Sequence, residues 1–166
     1  VTIDTSNVVS SVTDNTLINA AWLSNTSFNC SNVGPNTVTL YARDTNRNID
    51  SCKTTITVLD TIAPTVVCQN ITISLDSNGN TSIVALDIDG CSSGNCAIST
   101  LTIDNRAFDC SNIGQNSVTL TVTDIYGKRS TCMAIVTIED GMAPLVLSPE
   151  DKKRVVGNAR GTYLVK

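Results

Sequence analysis

Apolar and polar residues alternate along this chain in short runs, the period of two that a strand shows when one face packs and the other meets water. Val118-Thr-Leu-Thr-Val-Thr alternates without a break, as do Ile71-Thr-Ile-Ser-Leu and Leu101-Thr-Ile. Ile135-Val-Thr-Ile is almost continuously apolar, as in a strand inside a sandwich core. Asp76-Ser-Asn-Gly-Asn predicts a hairpin turn in which Gly79 is free to take positive φ, and Asp124-Ile-Tyr-Gly-Lys predicts another between the last two strands. No stretch carries the 3.6-residue period of an amphipathic helix.

The same pattern recurs 80 residues on. FNCSNVGPNTVTLYARD, starting at Phe28, lies over FDCSNIGQNSVTLTVTD, starting at Phe108, and 15 of 37 positions between 28–64 and 108–144 are identical without a gap. The identities include Cys30/Cys110, Gly34/Gly114, Leu40/Leu120, Asp44/Asp124, Cys52/Cys132, Asp60/Asp140 and the Ala-Pro pair at 63–64 and 143–144. Two copies of one β module are predicted, each a small antiparallel sandwich of Ig-like architecture. Val1 aligns with Thr81, so the first module, 1–63, lacks the first strand that the complete module, 64–144, possesses. The tail 145–166 starts a third repeat, with Leu145-Val-Leu-Ser in the place of Thr65-Val-Val-Cys.

Composition narrows the class. Ser, Thr and Asn fill 57 of 166 positions, and aromatics only 4%, so the core rests on Val, Ile and Leu. A net charge of −4 opposes a phosphate-binding surface, and no nucleic-acid partner is expected. No apolar run is long enough for a membrane span. The absence of histidine removes Ser-His-Asp and Cys-His triads and every His-ligated metal. No Gly-rich phosphate loop, nucleophile elbow or outstanding carboxylate pair is present, so the chain is not expected to be an enzyme. The start without Met or a signal peptide reads as a processed product or a fragment.

Seven cysteines, at 30, 52, 68, 91, 96, 110 and 132, in a short chain without histidine predict disulfides and an oxidising location, extracellular or on the cell surface. The odd number leaves at least one thiol free or paired with another chain.

The run APTVVCQNITISLDSNGN, followed by DIDGCSSGNC, FDCSNIGQNSVTLTVTD and STCMAIVTIED, resembles the hyalin-repeat Ig-like modules of bacterial cell-surface adhesins of the Bacteroidetes type. The resemblance spans residues 1–147 and is most specific over 64–144. It implies tandem Ig-like β-sandwiches stapled by disulfides in an adhesive or scaffolding surface protein. It names no ligand. Such modules usually carry a cysteine where the first copy has Thr16, opposite Cys96, and Cys91 is an addition to the pattern.

Two pairings are open. Because the first copy keeps only Cys30 and Cys52, the simplest is Cys30–Cys52, repeated as Cys110–Cys132, with Cys68 joined to Cys96 or Cys91. The other is Cys68–Cys132 with Cys96–Cys110.

Two assemblies are also open. The chain is a piece of a long array, or it is a subunit whose tail 145–166 fills the open groove of the first copy in the next molecule, building a head-to-tail homo-polymer. Glu150-Asp-Lys-Lys-Arg interrupts the strand pattern of that tail as a solvated loop. From another class, a carbohydrate- or protein-binding module would use Trp22 or Tyr41 against an unknown surface ligand, although Trp22 reads first as a core or interface residue.

Asp60, Glu139 and Asp140 precede the Ala-Pro junctions, while Asp44 and Asp124 end the strands before the last hairpins. These are the candidate ligands for calcium, the one cofactor considered; the competing reading is turn capping. Asn25, Asn29, Asn70 and Asn80 lie in N-x-[ST] sequons, and Asp60-Thr-Ile resembles a Bacteroidetes O-glycosylation motif with Thr61 as acceptor. Asn70 and Thr61 are the candidate glycosylation sites.

Overall fold

The computed structural model describes residues 1–143, and among these described residues there are nine strands; the tail 145–166 and its predicted donor role lie outside the described residues. The chain is all-β, as its period of two predicts. Strands β1 (Ile18–Leu23), β2 (Gly34–Asp44) and β3 (Ile49–Val58) form an antiparallel sheet in the order β1-β2-β3. Strands β4 (Ile71–Ser74), β5 (Asn80–Ser82), β6 (Ile98–Ile103), β7 (Ala107–Asp109), β8 (Gly114–Asp124) and β9 (Arg129–Glu139) follow. They form a four-stranded sheet, β4-β9-β8-β6, and a two-stranded one, β5-β7.

The 80-residue repeat is a repeat of backbone. β1, β2 and β3 correspond to β6, β8 and β9, and the pairing register slips at the same place, between Ile18 and Ala20 and between Ile98 and Thr100. Gly34 and Gly114 open the matching long strands at φ of +113° and +106°. Cys30–Asn32 and Cys110–Asn112 form the same single turn of 3-10 helix, capped by Asn29 and Asp109, each of which accepts the N–H two residues on. The short polar side chain at the cap satisfies an amide that the turn leaves open.

Two expectations are corrected. β4 runs parallel to β9, not antiparallel, with Ile71 opposite Val136. The Asp76–Asn80 turn is therefore no hairpin: it carries the chain out of one sheet and into the other, because β4 pairs with β9 and β5 with β7. Gly79 does take the positive φ the turn demands, +76°.

Each copy has its own apolar cluster. Leu23, Phe28, Val38 and Leu40 form the first, with Ile56 and Val58 packed against it. Leu75, Ile83, Ile88, Phe108, Val118, Leu120, Val122, Ala134, Val136 and Ile138 form the second. Their completeness differs. Ala134, Val136 and Ile138 on β9 are fully buried, whereas their counterparts Thr54, Ile56 and Val58 on β3 are only half-buried. The cause is β4, which covers β9; no described strand pairs with the outer edge of β3.

Candidate functional site

The disulfides join positions that the favoured sequence pairing keeps apart. Cys68 is bonded to Cys132, fastening the segment before β4 to β9. Cys30 is bonded to Cys96, fastening the first copy to the second. Cys52, Cys91 and Cys110 are exposed thiols. The pairings Cys30–Cys52 and Cys110–Cys132 are thus replaced, and of the second scheme only Cys68–Cys132 holds. The physical reason lies in the register: Cys52 and Cys132 sit opposite Leu40 and Leu120, well along β2 and β8 from the strand starts at Gly34 and Gly114 that follow the 3-10 turns bearing Cys30 and Cys110. Thr16 stands in the place of Cys96 in the 80-residue alignment, so the first copy carries no cysteine that repeats this half of the bond.

Cys30–Cys96 lies within a joint built from both copies. The Tyr126 hydroxyl, on the β8–β9 hairpin, donates to the Cys30 carbonyl. Asn95 Nδ2 donates to Asp60 Oδ1 at 3.1 Å, and the same oxygen accepts the Ile62 N–H at 3.2 Å. These bonds, Asn95 first and then the Ile62 amide, hold the Asp60 carboxyl below its ordinary pKa, with the charge of Lys128 adding to them.

Of the five candidate calcium ligands, the joint brings together only Asp60 and Asp124. Each keeps one buried oxygen, Oδ2, without a hydrogen-bond partner. Asp124 Oδ1 accepts the N–H groups of Tyr126 and Lys128 at 2.8 and 2.9 Å, the capping of a tight turn. Its counterpart Asp44 caps the earlier hairpin and also satisfies Oδ2, from Asn48 Nδ2 at 2.8 Å and Thr16 at 3.3 Å. The second copy has Lys128 and Cys96 in those two places. Asp140 repeats the turn of Asp60, accepting the Met142 N–H at 3.0 Å. Glu139 is exposed at the end of β9. Among the described residues no three acidic or cysteine side chains converge, against the six to eight oxygens calcium takes.

The second feature is a groove of about 350 Å³ in the first copy, lined by Val12, Asn15, Ile18, Ala42, Ile49 and Cys52 among others. In the second copy the equivalent place is filled by the segment Pro64–Cys68. Thr65 there bridges Ser93, Cys68 bridges Asp89, Pro64 is buried, and Val66 packs on the core.

Trp22 is no core residue. It is 39% exposed on β1 and stacks on Tyr41 of β2 with ring centroids 5.4 Å apart, because the register places them opposite each other on the outer face. Thr61 is exposed in the link between the copies. Asn70 is exposed at the foot of β4, where its Oδ1 accepts the Ile135 N–H at 2.8 Å.

No protein-family model matches the chain, and no curated protein matches it. No helix among the described residues is long and apolar enough to cross a membrane.

Proposed function

We propose that the chain is an extracellular structural protein, the subunit of a surface filament or adhesin stalk, joined head to tail. In this reading a segment of the tail 145–166 of one molecule fills the groove of the N-terminal copy of the next. The observation that carries it is the groove, which matches the seat taken by Pro64–Cys68 in the second copy. Ala143-Pro-Leu-Val-Leu-Ser repeats Ala63-Pro-Thr-Val-Val-Cys, with Val146 in the register of Val66. The uncovered edge of β3 supplies the free N–H and C=O groups that an added strand needs. A contact of this kind, between unlike ends, does not close, so it propagates as a filament. The disulfides and the resemblance to hyalin-repeat surface modules agree with an oxidising, extracellular place of work.

Electron microscopy and sedimentation of the full chain test the proposal. Regular filaments that vanish on deletion of 145–166 are the expected result; a monomer at all concentrations overturns it.

A second reading, a carbohydrate-binding module, is favoured by the stacked and exposed Trp22–Tyr41 pair. Glycan binding by the monomer, lost in Trp22→Ala, would establish that one instead.

A further inference from the structure

The C-terminal copy ends in a surface that duplicates one already covered inside the molecule. Cys30, Val33 and Asp60 lie at the end of the first copy and are partly buried, and Cys30 and Asp60 are held there by the second copy. Cys110, Ile113 and Asp140 are their counterparts, and all three are exposed; Ile113 is 51% accessible. The two surfaces share more than sequence. The 3-10 turns at Cys30 and Cys110 enter from caps with φ, ψ of −131°, −169° and −132°, −172°. Asp60 and Asp140 accept the N–H two residues on in the same way. In each, Asn36 or Asn116 donates back to the carbonyl of Asn32 or Asn112, at 2.6 and 2.7 Å.

We infer that the Cys110 end of one molecule docks on the Asn15–Thr16 end of the N-terminal copy of a second molecule, repeating the internal joint between molecules. The inference rests on the head-to-tail reading and adds to it the face and the residues that meet, independently of the tail. Asn15 occupies the place of Asn95 and would donate to Asp140 as Asn95 does to Asp60. Thr16 occupies the place of Cys96, so Cys110 meets a hydroxyl instead of a thiol. Asn46 replaces Tyr126, whose hydroxyl reaches the Cys30 carbonyl in the internal joint. The joint between molecules therefore keeps the shape of the internal one without its disulfide, and each molecule is a covalently stapled pair in a series of non-covalent contacts.

Two measurements on the full chain test this. First, pulse alkylation with iodoacetamide is followed by peptide mass spectrometry as concentration rises. Cys110 is expected to become about tenfold less reactive as assembly proceeds, while Cys91 keeps its reactivity. Cys110 reacting equally at all concentrations overturns the inference. So does Cys110 protected even in dilute monomer, which would mean that residues of its own chain cover it.

Second, Thr16→Cys restores a thiol opposite Cys110. With glutathione disulfide as oxidant, one thiolate attacks it and releases one glutathione thiol. The second thiolate then attacks that mixed disulfide and releases another, so the two electrons leave on two glutathione molecules. The expected product is a ladder of linked molecules joined between position 16 and Cys110, lost when Cys110→Ser is added. Assembled protein that links through Cys52 or Cys91, or not at all, overturns this docking face and leaves head-to-tail assembly standing. A chain that stays monomeric in sedimentation overturns both.

Discussion

Asp60 and Asp124, from different copies of the repeat, meet at the joint with one buried, unpartnered carboxylate oxygen each. Asp124 keeps Oδ1 for the hairpin amides, so only Oδ2 is available across the joint. Asp124→Asn retains the capping oxygen and puts an N–H donor where the unpartnered oxygen stands. We expect it to stabilise the protein at neutral pH by about 1 kcal/mol, the net worth of one added hydrogen bond, read as a raised Tm. Asp44→Asn should do the opposite, since Asp44 Oδ2 already accepts from Asn48 and Thr16.

Acid should loosen the joint. The Asp60 carboxyl is held below its ordinary value, chiefly by Asn95 and then by the Ile62 amide. Its folded pKa is thus lower than its unfolded one, near 3.9. The stabilisation is fully present above that unfolded value and is lost as pH falls through the folded one. Tm measured from pH 6 down to pH 2 should fall below about pH 4, and Asp60→Asn should flatten that limb while lowering stability at neutral pH. An unchanged acid limb in Asp60→Asn would show that Asp60 contributes nothing to it.

Cys68→Ser with Cys132→Ser should cost the C-terminal copy roughly 4 kcal/mol by the loop-entropy estimate for a bond spanning 64 residues. Cys30→Ser with Cys96→Ser acts elsewhere, because this bond spans two apolar clusters and not one. The expected outcome is two separate unfolding transitions in place of a coupled one, visible by calorimetry.

Gly79→Ala should destabilise the Asp76–Asn80 corner by about 1 kcal/mol or more, since its φ of +76° suits glycine. A methyl group there would also stand 2.7 Å from the Cys110 sulfur. Faster alkylation of Cys110 should accompany the loss of stability, as the side chain is pushed outward.

The strands, their alternation and the 80-residue correspondence were legible in the sequence because they follow from local chemistry. β-branched residues at period two make strands, and Asp and Gly at set places make turns. The hairpin at Asp124–Lys128 and the positive φ of Gly79 were legible for the same reason. The Asp76–Asn80 turn was misread because a turn signal marks a change of direction without saying which strand receives the chain. Of the two readings of Trp22, core or interface, the exposure of 39% removes the core one, because one apolar residue in a strand does not declare which face is covered.

By itself the sequence determined that this protein is all-β, that it repeats, and that it holds disulfides. Each of these rests on residue type and spacing along one stretch of chain. Which cysteines bond, which carboxylates meet and which edge stays uncovered were decided only by the tertiary structure. Cys30 and Cys96 are 66 residues apart in sequence yet 5.6 Å apart between Cα atoms, because the second copy sets its Asn95–Cys96 loop and Tyr126 hairpin on the end of the first. Contacts of that kind depend on how one folded surface lies against another, which no local periodicity encodes.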